Sequence, residues 1–488
     1  MDLAEYLERF PFGEKFILGI IDPDGTPIRI SDEVYRTEPT DTPGNVQFRP
    51  IIEDVPRLAR EIRSRWGGGV SGSWGPIKTA TKDAGAVDLS TVDIKGKKFT
   101  LMLTGPRSEV PFDEAAVVLQ GYIDSRSGDV DGGLTINLRD RRQLLDSIIL
   151  PLNRFDAASE SANFPASNDG KVKPVVLGKA FNVESPVIDS VTHKRQVSDP
   201  AFGQINDVLA VYNNGVSVSF TKDLANNAYT PTVTPLENEV ITADIEGVKD
   251  GGTLMTQHSE FITWILKTFA GYTDPEIDIT GFPTEDAYCL ITGSKSVSAI
   301  LDELTKSVLA IWQCTRLDTF KARLIEVPGT GSATFNETKQ IGRLNWKEDG
   351  DVYYRIPYSY NQNNTKLTQL GTVGDVSKEI WLKSDSDKAA EEDLSIQSDY
   401  PDAKEAPEIK TLFVAKSPAQ AVAARALALY GELRRTCTVT FPFVDPPLFI
   451  LDDVTLSDAD VMTGDCQIRS LTEEYGGDAP VLNAGVWK

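Results

Sequence analysis

The sequence predicts a multidomain, mainly β protein with α+β parts, and three observations carry that prediction. Apolar and polar residues alternate at period two in many short stretches, including Phe99-Leu101-Leu103, Leu134-Ile136-Leu138 and Cys437-Val439-Phe441-Phe443, each bounded by turn residues. Longer runs at helical spacing are confined to three places: 259–269, 296–311 and 417–435. At 488 residues the chain is too long for one ordinary core, so three or four domains are expected.

Composition narrows the class. A hydrophobic content of 40% with 28 prolines fits a folded, loop-rich protein. No run of about 18 apolar residues is present, so no membrane span is expected. The first residues, Met1-Asp2-Leu3-Ala4-Glu5, lack an apolar signal core, which suggests a cytosolic product. There are 72 acidic against 49 basic residues, a formal charge of −23. That sign repels phosphate backbones and argues against nucleic-acid binding by counterion release. It suits equally a solubilising surface or a wall that DNA passes without sticking.

The chain opens with a helix expected at Leu3–Phe10, then a strand over Lys15–Ile21 turned by Pro23-Asp24-Gly25-Thr26. Residues 37–50 read as a surface loop punctuated by Pro39, Pro43 and Gly44, and Gly67–Gly69 with Ser71-Gly72-Ser73 as a flexible corner. Strands follow from Lys97 to Arg139, and a short helical turn over Asp140–Leu145 closes a first unit, 1–152. The polar stretch 153–172 is a linker.

A β unit spans 173–256, with strands over Val172–Phe181 and Val187–Val191. Its Asn213-Asn214-Gly215 turn, between Val208–Tyr212 and the alternating Val216, Val218 and Phe220, signals a hairpin. An α+β unit at 257–340 carries a helix with Ile262, Ile265, Leu266 and Phe269 on one face and a second from Ser296 with Ile300, Leu304, Val308 and Ile311 inward. A hairpin of Ala310–Leu317 with Lys321–Val327 follows.

The last unit, 341–488, starts with a strand at Tyr353–Tyr360 and has an exposed acidic loop at 384–410. In its helix, 417–435, Ser417 can cap, Pro418 fits the first turn and Arg434 and Arg435 suit the last. Strands at Leu448–Leu456, Asp465–Glu474 and Val481–Trp487 complete a helix laid across a small sheet or barrel.

No catalytic pattern emerges. The two histidines, His193 and His258, lie in polar sequence without a His partner three or four residues away, so neither a triad nor a zinc protease is supported. The glycine corner lacks the Lys-Ser/Thr ending of a phosphate loop. Cys289, Cys314, Cys437 and Cys466 form no C-x-x-C pair; they read as buried thiols, with a metal or iron–sulfur site as the alternative. Asp22 with Asp24, and Asp129 with Asp131, read as turn residues or cation ligands without a complete calcium loop. Trp66 and Trp74 flank the glycine corner and would be exposed there, as a carbohydrate platform requires.

Several of these pieces resemble the baseplate hub or tail-tip proteins of long-tailed bacteriophages, which are similar to contractile-tail and type VI spike hubs. They are the Thr40-Asp41-Thr42-Pro43 loop, the glycine corner, and Gly121-Tyr122-Ile123 with the Leu138–Leu145 finish. Pro174–Val183 followed by Val211-Tyr212-Asn213-Asn214-Gly215-Val216 is the most specific wording, and Leu301-Asp302-Glu303-Leu304, the hairpin over Trp312–Val327 and Leu451–Leu456 continue it. The chain departs in reading Leu451-Asp452-Asp453 where a hub usually has Leu-Gly-Asp, and in lacking a fused lysozyme or spike domain.

The resemblance implies a non-enzymatic structural virion protein without cofactor, assembled in the host cytoplasm. It implies a homotrimer in which each chain supplies two tube-like β-barrel domains, around 1–150 and 341–488. The expected partners are the distal tail ring, tail tube, tape measure and a central fibre or spike, with DNA passing through the lumen at ejection. A distal tail adaptor ring, a tail-tip cell-wall hydrolase and a carbohydrate-binding receptor module are the alternatives.

Overall fold

The structure, a computed structural model, describes residues 15–488 except 24–25, 81–88, 129–132, 237, 332, 337–344, 443–447, 459–461 and 475–480. It is a multidomain, mainly β protein. The expected Leu3–Phe10 helix lies outside the described residues.

The first sheet has nine strands, in the order Tyr35–Arg36, Gln47–Pro50, Ile28–Ser31, Phe16–Asp22, Lys98–Thr104, Ala116–Gly128, Gly133–Arg139, Ile77–Ala80 and Ile52–Asp54. Its centre is the predicted alternation: Phe99, Leu101, Leu103, Leu134, Ile136 and Leu138 all point into one core. A second sheet packs Val175–Glu184 between Ile241–Asp250 and Tyr288–Ile291. The predicted hairpin joins its neighbour Ile205–Asn213 to Val216–Val218, with Asn214 and Gly215 both at positive φ as the turn requires.

The helices His258–Ala270 and Val297–Ser307 lie against this core, the second capped by the Ser296 hydroxyl. The second is shorter than expected: Leu309 takes φ 51°, and Ala310–Cys314 is already a strand paired with Phe320–Leu324.

The largest sheet draws on three distant parts of the chain. Its main path runs Ile277–Thr280, Phe320–Leu324, Ala310–Cys314, Gly68–Trp74, Arg57–Ile62, Met462–Glu474, Val481–Trp487, Arg434–Pro442 and Asn345–Asp349, with Asp453–Asp458 and Ala333–Asn336 branching off. The glycine corner is therefore a strand, Gly68–Trp74. Glycine is needed there because Ala310 runs alongside in parallel, and a Cβ on Gly67 would strike the Ala310 carbonyl.

The C-terminal helix spans Lys416–Tyr430, shorter than expected at its C-terminal end, and the residue before it is Ala415, so Ser417 does not cap it. Arg434 and Arg435 belong to the next strand. Arg434 still serves the helix end, its guanidinium donating to the Leu429 and Ala428 carbonyls at 2.9 and 3.0 Å. The stretch 384–410 is largely exposed but is no plain loop. It contains the strand Asp387–Glu392, paired along Tyr353–Tyr360, and a short helix, Ser395–Asp399. Among the described residues no sheet closes on itself, and the parts expected as tube-like β-barrel domains, around 1–150 and 341–488, contribute open sheets within one chain.

Candidate functional site

The composite sheet is held at one buried junction. Arg60, on the hairpin from the first part of the chain, approaches Glu473 on Met462–Glu474 to 2.5 Å. Arg316, at the tip of the 310–324 hairpin, reaches the other oxygen of the same carboxylate at 3.4 Å. The three side chains are 4%, 1% and 1% exposed for Arg60, Arg316 and Glu473. Arg316 also donates to the Val118 carbonyl at 3.0 Å, and its own carbonyl accepts from Gln120 N at 2.6 Å, which ties in the nine-stranded sheet. One carboxylate thus joins three chain segments in low dielectric, where the pairing is strong only while complete.

A second polar joint stands beside it. Asp302 on the helix Val297–Ser307 accepts from Gly69 N and from Trp312 Nε1, both at 2.7 Å. Arg142 lies over the Trp312 ring at 4.9 Å and Arg141 over Tyr272 at 4.3 Å, with Arg141 also pairing with Asp318 at 3.1 Å. Burial raises the neighbouring Asp140 carboxyl to about 6.

Away from the junction the sheets end in unpaired edges among the described residues: Tyr35–Arg36 and Ile52–Asp54 on one, Ile277–Thr280 and Asn345–Asp349 on the other. Such edges invite pairing with another chain. Near the last of them a cleft of about 570 Å³ is lined by Trp346, Lys347, Arg434, Arg469, Tyr430 and Trp487, among others.

The four cysteines singled out from sequence are buried at separate places in the fold. Cys289 pairs across to Leu177, Cys314 sits by the Tyr272 hydroxyl at 3.5 Å, and Cys437 and Cys466 lie on separate strands of the composite sheet; all four are buried. Among the described residues no group of three or more His, Cys, Asp or Glu side chains could hold a metal. Burial pushes the Cys289 and Cys466 thiols up to about 12.

His258, set in polar sequence, is fully buried against Phe413, its Nε2 2.9 Å from the Ser307 hydroxyl, and burial lowers its pKa to about 3. Ser307 also accepts from Leu412 N, so the pair staples two segments together. Trp66 and Trp74 are both half-buried. Trp66 packs on Tyr353 and Tyr430 at 5.5 and 5.1 Å, and Trp74 covers Gly121, where a Cβ would collide with its ring. Asp24 and Asp129 to Gly132 lie outside the described residues. Sequence reasoning missed Arg60, Arg316 and Glu473, whose pairing spans 413 positions and leaves no local signal.

No protein-family model matches the sequence, and no curated protein matches it. Its structural neighbours are phage tail and baseplate proteins. The tail protein from Neisseria meningitidis MC58 is 9% identical, with 97% of each chain covered and a TM-score of 0.47. The 43 kDa tail protein of prophage MuSo2 from Shewanella oneidensis is 11% identical over 97% of this chain and 98% of that one, with a TM-score of 0.43. A chain from the virion of a native gene transfer agent particle is 14% identical over 70% of this chain and 91% of that one, with a TM-score of 0.47. Among the described residues no helix is long and apolar enough to cross a membrane.

Proposed function

We propose that the chain is a structural virion protein, the hub at the distal end of a phage tail. It continues or closes the tail tube, organises the other tail-tip proteins and forms part of the conduit through which DNA leaves. The observation that carries this reading is the composite sheet. Its strands come from 57–74, 277–324 and 345–487, a buried Arg60–Glu473–Arg316 junction fixes them, and its end strands have no further partner among the described residues. A wall of this kind is completed by other chains.

Three copies form the ring, each contributing the nine-stranded sheet of 1–152 and the sheet rooted in 341–488, with 173–340 between them. Closure between copies protects the edges that one chain leaves open. The charge of −23 favours a lumen that repels DNA rather than one that holds it. The distal tail ring, tail tube, tape measure and central fibre or spike are the neighbours this role requires.

Light scattering on the purified protein, with negative-stain images, tests it. A particle of three 53.4 kDa chains with a central hole is expected. A hexameric ring would favour the adaptor reading instead, and degradation of purified cell wall would overturn a purely structural role.

A further inference from the structure

The cleft of about 570 Å³ lies between the strand Arg57–Ile62, the end of the helix Lys416–Tyr430 and the edge strand Asn345–Asp349. Its chemistry runs against that of the chain. Arg469 and Arg434 lie over the Trp487 ring at 4.1 and 5.0 Å, Arg65 over Tyr430 at 5.5 Å, and Arg435 over Trp346 at 4.5 Å. Arg434 gives donors to the Leu429 and Ala428 carbonyls and Arg65 gives Nη1 to the Asp351 carbonyl at 3.3 Å, whereas the Arg435 guanidinium, held by its flat face on Trp346, keeps N–H donors for a carboxylate. Trp346, 46% exposed, and Arg435, also exposed, stand together at the rim. Trp, Tyr and Arg are the residues that dominate the energetics of protein contacts.

The ion pairs leave a surplus of positive charge. Two of the acids lining the cleft are taken, Asp351 by Lys404 at 2.9 Å and Glu432 by Arg434 at 3.7 Å. Among the described residues Arg65, Lys347 and Arg435 enter no ion pair, against Glu61 in the cleft and Glu348 across the ladder from Arg435. In a chain with 72 acidic and 49 basic residues this is a local inversion of sign. The Thr436, Thr438 and Ser470 positions add polar groups to the walls, and Asn345–Asp349, an edge strand among the described residues, offers backbone donors and acceptors alongside.

We infer that the cleft is a docking site for an acidic, extended segment of a partner protein, its carboxylates on Lys347, Arg65 and Arg435 and an apolar side chain against Trp346. This holds whether or not copies of the chain form a ring, so its failure and that of the hub reading are separable.

The test is an anisotropy titration of the whole chain with a fluorescein-labelled Gly-Glu-Val-Glu-Val-Glu peptide, with Gly-Lys-Val-Lys-Val-Lys as control. Saturable binding of the acidic peptide alone, weakened by added salt, is expected. The double variant Lys347→Glu/Arg435→Glu, both positions exposed, weakens it roughly tenfold or more with an unchanged melting temperature, about 1.4 kcal/mol. Arg65→Gln serves as a second, independent variant should the first not fold. No saturable binding, equal binding of the lysine peptide, or indifference to both variants overturns the proposal. Full displacement by free glutamate or inorganic phosphate at the peptide's own concentration overturns it in favour of a small-anion site. Self-association of the chain lost in the double variant would make a second copy the occupant and would also overturn it.

Discussion

Glu473 shows how much can rest on one side chain. Its carboxylate meets Arg60 at 2.5 Å and Arg316 at 3.4 Å, all nearly out of contact with water. Glu473→Ala leaves two guanidinium groups buried without that partner and lowers stability by about 3–5 kcal/mol, read in urea unfolding. Replacing all three by Met or Leu removes the buried charges together and costs far less. A Glu473→Ala loss below about 1 kcal/mol would show that the junction is not a structural keystone.

His258 gives a pH signature at the same scale. Its folded pKa of about 3 lies below the ordinary 6.5, so between those values the unfolded chain takes up a proton that the folded chain refuses. Its contribution to stability is therefore intact above pH 6.5 and is lost as pH falls toward 3, by roughly 1.4 kcal/mol for each pH unit. Asp140 works the other way. Its raised carboxyl favours the folded state at acid pH, and that advantage fades as pH rises through about 6. The comparison is thus wild type against His258→Gln, in which Asp140 cancels. Stability curves that stay parallel from pH 7 to pH 4 would contradict the assignment.

At the scale of elements, the sequence was most informative where local chemistry decides. The turn Asn213-Asn214-Gly215 needs positive φ, the alternation of Leu134, Ile136 and Leu138 needs one buried face, and Ser296 needs only its own helix. Gly178 is of another kind. It lies within the strand Val175–Glu184 at φ 71°, where an added Cβ would strike the Ala287 carbonyl and come within 2.7 Å of the Phe261 ring. Gly178→Ala is expected to lower stability by about 1–3 kcal/mol, visible as a lower melting temperature. A neutral outcome would mean that the strand and the helix His258–Ala270 can separate there without penalty.

The misread elements share a cause. Gly68–Trp74 looks like a loop because glycines dominate it, yet they are what allow Ala310–Cys314 to run alongside. His258 looks polar by its neighbours, but Phe413, 155 positions away, covers it. Ser417 looks like a cap, whereas the helix starts one residue earlier. The candidate cleft was illegible for the same reason: Arg65, Trp346, Arg435 and Trp487 meet only after the sheet has formed.

For the whole molecule, charge separates a conduit from a binding groove. A protein that grips DNA neutralises phosphates with Lys and Arg, releases counterions and weakens steeply as salt rises. This chain carries 72 acidic and 49 basic residues, and many of its basic side chains are already committed: Arg60 and Arg316 to Glu473, Arg141 to Asp318 and Glu276, Arg355 to Glu392 and Glu405. The cationic cleft is one local exception and is far too small for a duplex, whose charges are spaced along its whole length. The purified protein is therefore expected to leave double-stranded DNA unshifted in a gel at low salt, where any electrostatic attraction would be strongest. Retention that weakens linearly with the logarithm of salt concentration would contradict a repelling lumen and would make the acidic surface a matter of solubility alone.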